Sequence, residues 1–193
     1  MRTALPALAA ALTLTCATLA HAADLTGTIA APVPKHRANT VVFVRNAGLE
    51  PAPQTTHMDQ VGLVFTPRVV AVQKGSTVAF KNSDPVAHNV YTPDGKPYDL
   101  GTWPKGEVRK YTFAKPGVYR QLCKVHDDML AYIVVVDTPW FAVSDKAGQF
   151  SLRGLPPGKY TLGVWHEKLG AADVQVELSA AGVAGLQVPL QAK

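Results

Sequence analysis

The stretch Cys123-Lys-Val-His126-Asp-Asp-Met129 constrains this chain more than any other, because it sets a thiolate, an imidazole and a thioether in one short run. Strand-like segments flank it, Lys115–Leu122 before and the β-branched Leu130–Val136 after. The three candidate ligands therefore sit in a connection between two strands. One Cys, two His and a distant Met make up the ligand set of soft, copper-selective electron-transfer centres, so a second His is required from elsewhere. His88, in Lys81-Asn-Ser-Asp-Pro-Val-Ala-His88-Asn-Val-Tyr91 and just beyond the strand-like Ser76–Lys81, is the donor that the sequence offers.

The amino terminus reads as a secretory signal peptide over residues 1–22. Met1-Arg2-Thr3 is a short basic start, Ala4–Leu19 is apolar, and Ala20-His21-Ala22 is a small-x-small cleavage site. Cys16 raises lipidation as an alternative, but Thr15 precedes it where a small Gly, Ala or Ser is wanted. No other apolar run approaches the ~20 residues needed to cross a bilayer, so no membrane span is expected. Export to the periplasm would remove Cys16 and leave Cys123 alone. A lone thiol in an oxidising compartment is a liability unless something occupies it, and a copper–thiolate bond would explain its presence. The formal net charge of +5 is scattered, with no basic block or aromatic-interleaved stripe, which argues against a nucleic-acid partner.

Gly and Pro at 15 residues each, with many short β-branched runs, point to an all-β protein. Asp24–Ala30 and Asn39–Arg45 read as strands, separated by Pro32 and Pro34. Glu50–Gln54, with Pro51 and Pro53, reads as an extended linker. Beyond residue 137, turn signals at Asp145–Gly148 and Pro156–Gly158 bracket alternating apolar positions, Phe150 with Leu152 and Tyr160 with Leu162. Near Ala171 and Ala180 the pattern gives at best a turn.

Phe65–Gly75, Ser76–Phe80, His88-Asn-Val, Pro116-Gly-Val-Tyr119 and Cys-x-x-His-x-x-Met together resemble the cupredoxins, of the amicyanin-like and plastocyanin-like type associated with methylamine utilisation. The resemblance implies a Greek-key β-sandwich over residues 55–137. It implies one type 1 copper ion with His88, Cys123 and His126 in a near-planar set and Met129 as a long axial ligand. Asn89 would hold the His88 loop and hydrogen-bond the thiolate. It further implies redox partners such as a dehydrogenase donor and a cytochrome acceptor. With no ligand position left open for a substrate, electron transfer rather than catalysis is expected. A copper carrier, or a binding module stabilised by copper, is the alternative. Zinc would leave Met129 unexplained, and haem attachment would need Cys-x-x-Cys-His. Asp127 and Asp128 depart from the family pattern, which has apolar residues or proline there; they would steer a basic partner, stiffen the loop, or be solvated loop residues.

Asp145-x-x-Gly-x-Phe150 and Leu155-Pro-Pro-Gly158-x-Tyr160 resemble the carboxypeptidase-regulatory-like family, which implies a small transthyretin-like β-sandwich. Residues 23–54 and 138–193 would form it, with the cupredoxin inserted. Alternatively, Val41–Val44 is the first cupredoxin strand and the C-terminal sandwich stands alone. Elsewhere His57 and Met58 form a soft pair conceivable as an auxiliary copper site but read by default as solvated linker. His166-Glu167 reads as a strand end, and His36 offers nothing.

Overall fold

In the computed structural model, which describes residues 22–45, 47–49 and 52–193, β-branched runs punctuated by Gly and Pro form strands almost throughout. The signal peptide over 1–22 falls on residues outside the described ones, save Ala22, as do Glu50 and Pro51 of the linker. The strands are β1 (Ala23–Ala30), β2 (Val41–Val44), β3 (Thr55–Gln60), β4 (Phe65–Thr66), β5 (Val69–Gln73) and β6 (Thr77–Asn82). They continue as β7 (His88–Thr92), β8 (Tyr98–Trp103), β9 (Val108–Thr112), β10 (Gly117–Leu122), β11 (Leu130–Val136) and β12 (Phe141–Val143). The last are β13 (Gln149–Leu155), β14 (Gly158–Trp165), β15 (Leu169–Gly170), β16 (Val174–Leu178), β17 (Val183–Pro189) and β18 (Gln191–Ala192). Among the described residues the one helical piece is a 3-10 turn at Pro34–His36.

Strands β3 to β11 make one sandwich, with sheets ordered β5-β11-β10-β7-β8 and β4-β3-β6-β9. The second is made from both arms of the chain, with sheets β13-β1-β17 and β12-β2-β14-β16 and a small β15-β18 ribbon. In it β1 lies between β13 (Gly27↔Phe150) and β17 (Ile29↔Val188). Val41 of β2 is paired with Val143 of β12 and with Trp165 of β14. Val41–Val44 thus pairs within the second sandwich. The chain leaves the second sandwich after β2 and returns to it at β12.

The Asp145–Gly148 turn shows why that motif was visible. Asp145 Oδ1 accepts the amides of Ala147 (2.9 Å) and Gln149 (2.8 Å), and Gly148 takes φ +85°, which a Cβ would disfavour. That reversal lets the Gly148 carbonyl accept the Ile29 amide at 2.8 Å, stitching β1 to the C-terminal arm.

Each sandwich has its own core, built on Met58, Phe80, Trp103, Phe113 and Ile133 in one and on Leu25, Ile29, Leu152, Leu162 and Val188 in the other. A third cluster, Val41, Val69, Val134 and Val136 with Phe43, Tyr132, Phe141 and Trp165, joins them. This explains why β2 and β11 are apolar on both faces. In β11 Ala131, Ile133 and Val135 face the core of the first sandwich while Tyr132, Val134 and Val136 face the second.

Candidate metal centre

The hairpin of β10 and β11 closes at the pair Leu122↔Leu130, so residues 123–129 form its end loop. Cys123 and Met129 are its first and last residues, both turned into the core, with 3% and 0% of their surface exposed. His88 opens β7 and is fully buried, whereas His126, at the loop's crest, is partly exposed. Of the four candidate ligands only His126 thus meets solvent.

The side chains converge. His88 Nδ1 and His126 Nδ1 stand 3.0 Å apart, and these nitrogens and Cys123 Sγ all lie within 4.8 Å of one another. A single ion held ~2.0–2.3 Å from nitrogen and sulfur ligands fits that spacing. Met129 belongs to the same buried cluster as Cys123, and its amide donates to the His126 carbonyl at 3.1 Å, tightening the loop beneath the ring. A thiolate and a thioether with two imidazoles form a soft set that suits copper.

Neighbouring groups fix the ligands. His88 Nε2–H donates to Asp84 Oδ2 at 2.7 Å, leaving Nδ1 to face the centre. The Asp84 carboxylate also accepts the amides of Gly62 (2.6 Å) and Leu63 (2.9 Å). Burial pushes the Asp84 carboxyl up, but the Leu63 and Gly62 amides and the His88 ring outweigh it and hold it below the usual carboxylate range. Asn82, fully buried, braces this loop: its Oδ1 accepts the Asp84 amide at 2.9 Å and its Nδ2 donates to the Val86 carbonyl at 2.9 Å.

Asn89 contacts the thiol through its backbone: its amide, and that of Val125, each point to Cys123 Sγ at 3.4 Å. Its side chain instead links the surrounding elements, accepting the Lys124 amide at 3.2 Å and donating to Asp99 (2.7 Å) and the Gly101 carbonyl (2.9 Å). Lys124 Nζ bonds Asp99 Oδ2 at 2.7 Å and pulls that carboxyl down to about 2. Asp127 and Asp128 are exposed beside His126.

The auxiliary pair does not form, because alternation along β3 exposes His57 and turns Met58 into the core at 0% exposure. His166 and His36, in contrast, face each other with ring centroids 5.7 Å apart. His166 Nδ1 accepts the amides of Lys168 (3.2 Å) and Leu169 (3.0 Å), which fixes its proton on Nε2 and disqualifies that nitrogen as a metal ligand. Asp84 and the Val125 amide escaped the sequence reading; the one local hint was the Asp-Pro pair four residues ahead of His88.

Residues 52–137 match the family of copper binding proteins of the plastocyanin/azurin type. The matched segment contains all four candidate ligands. Among solved structures, the chain is similar to the copper-containing nitrite reductase NirK of Thermus scotoductus (31% identity, 47% of this chain and 24% of that one, TM-score 0.41). It spans about a quarter of that reductase's length. It is also similar to a purple cupredoxin of Nitrosopumilus maritimus (21% identity, 42% of this chain and 99% of that one, TM-score 0.39). A reduced variant of amicyanin is a third such structure (20% identity, 49% and 98%, TM-score 0.41).

Proposed function

We propose that the chain is an exported, periplasmic type 1 copper protein that passes single electrons between redox partners and is not itself an enzyme. The observation that carries this is the meeting of His88, His126 and Cys123 within 4.8 Å, closed off except at the His126 edge. Copper, when bound, supplies reversible one-electron chemistry at nearly fixed geometry.

The protein's own groups account for the rest. Asp84 orients His88 by taking its Nε2–H, which keeps Nδ1 turned to the centre. The amides of Asn89 and Val125 draw electron density from the Cys123 sulfur, and such contacts tune the potential. Met129, fully buried in the same cluster as Cys123, would offer its thioether to the ion and keeps water from the inner side. Val61, Leu63, Val64, Val86 and Val125 are all exposed, and the loops bearing them are tied to the Asp84–His88 pair or form the ligand loop. Exposed apolar side chains on the loops tied to the Asp84–His88 pair and on the loop bearing His126 favour a docked protein over a small substrate. Asp127 and Asp128 favour a partner with a basic face, such as a cytochrome. Export rests on the basic, apolar and small-residue pattern of residues 1–22.

The test is the absorption and electron paramagnetic resonance spectrum of the Cu(II)-loaded protein beside Cys123→Ser. An intense blue band with narrow hyperfine splitting, lost in the variant, supports the reading. A pale tetragonal spectrum that ignores the substitution overturns it and leaves a copper carrier or binding module.

A further inference from the structure

The two sandwiches meet at an apolar cluster and, among the described residues, at one ion pair. Arg68, between β4 and β5, sends Nε and Nη2 to Glu167 Oε2 of the second sandwich at 3.1 and 2.8 Å. Its third donor, Nη1, reaches the Leu130 carbonyl at 3.0 Å, and Leu130 is the residue after Met129. The Arg68 carbonyl accepts the Tyr132 amide at 2.9 Å. The guanidinium lies over the Tyr132 ring, 5.9 Å to the centroid, and that ring tilts against Trp165 at 5.1 Å.

Glu167 is itself held firmly. It follows the buried His166, whose Nδ1 accepts the amides of Lys168 and Leu169, and its own carbonyl accepts from Lys193 Nζ at 3.1 Å. Its side chain is 15% exposed, against 41% for Arg68. A guanidinium is planar, so pinning Nε and Nη2 on Glu167 fixes where Nη1 points. Freed from Glu167, so exposed an arginine would sample solvent and release Leu130.

We propose that Glu167 and Arg68 are positioning residues through which the second sandwich holds the carboxyl end of the metal loop, and with it the Met129 thioether. The inference rests on the copper reading of His88, Cys123, His126 and Met129. The amino end of the loop is secured within the cupredoxin segment by Asn89. At the carboxyl end, where the Leu122↔Leu130 pair closes the hairpin, Arg68 adds a bond to Leu130 that Glu167 of the second sandwich orients. A weak axial ligand tunes the potential, so a shift at Leu130 has a redox consequence that an ordinary surface ion pair lacks.

The test compares the parent with Glu167→Gln, Glu167→Ala, Arg68→Lys and a control, Asp173→Asn. The control breaks the Arg45–Asp173 pair (2.9 Å) within the second sandwich. Two readouts are taken: the reduction potential with the paramagnetic resonance spectrum of the copper form, and amide hydrogen exchange at Met129 and Tyr132 in the metal-free protein. The expected result is a shifted potential and altered rhombicity in Glu167→Ala and Arg68→Lys, a smaller shift in Glu167→Gln, and exchange about fivefold faster at both amides. Asp173→Asn should match the parent. Potentials, spectra and exchange indistinguishable from the parent in Glu167→Ala would overturn the inference. A parent without the blue band defeats the copper reading instead, while the metal-free exchange still decides whether Glu167 holds the loop.

Discussion

Asp84 Oδ2 accepts the Nε2–H of His88 at 2.7 Å while the same carboxylate accepts two backbone amides from the Gly62–Leu63 turn. One buried carboxylate thus ties an inner candidate ligand to an exposed apolar loop. Asp84→Asn keeps the size but removes the charge and can present an amide donor to the ring or to the turn. We expect copper affinity to fall roughly 10- to 100-fold, measured by competition with a chromogenic chelator, with a raised reduction potential. Unchanged affinity would mean that the ring is oriented by packing alone.

Stability should decline modestly on the acid side. Lys124 holds the Asp99 carboxyl down to about 2, and the Arg120 guanidinium, bonded at 2.8 and 2.9 Å, holds Asp94 below the usual carboxylate range. Both folded values lie below the unfolded one of ~3.9, so their contribution is present above about pH 4 and fades as pH falls toward about 2. Asp99→Asn should flatten the loss of stability below pH 4 in urea titrations of the metal-free protein. Exposure of Asp99 and screening by salt keep the effect modest.

Gly27 lies between two strands at a spacing that no side chain fits: a Cβ there would meet Leu186 O and a Phe150 ring carbon, both at 2.5 Å. Gly27→Ala should destabilise the protein by about 1–3 kcal/mol in urea unfolding, through displacement of β17 or of Phe150. The blue band should persist where the protein remains folded, because β1 contributes nothing to the metal-side core.

His57 and Met58 should behave as opposites. His57→Ala, on the exposed face of β3, is expected to change neither stability beyond about 0.5 kcal/mol nor copper stoichiometry. Met58→Ala empties a fully buried position and should cost about 2–5 kcal/mol by chemical denaturation. A lower copper stoichiometry in His57→Ala would restore the auxiliary site.

Much of the centre was legible because it is local. Cys123, His126 and Met129 lie in one loop, and the strand-like runs on either side bound it. His88 was recognisable once a second imidazole was required. The backbone amides on Cys123 Sγ were not, because an amide carries no residue signature, and the Asn89 side chain that invited the assignment serves Asp99, Gly101 and Lys124 instead. His36 and His166 looked unrelated, since nothing in their own neighbourhoods records that a 3-10 turn and a strand end will face each other.

By itself the sequence determined the all-β character, the loop that carries Cys123, His126 and Met129, and the turns at Asp145–Gly148 and Pro156–Gly158, since alternation, glycine conformation and short-range hydrogen bonding act within a few residues. Tertiary structure decided what depends on contacts across the chain. Val41–Val44 pairs with β12 and β14 and is buried on both faces, the Asp84 carboxylate turns to His88, and Arg68 bridges Glu167 and Leu130. Such contacts form where two distant segments bury each other's surface, and neither segment alone encodes the partner that it will meet.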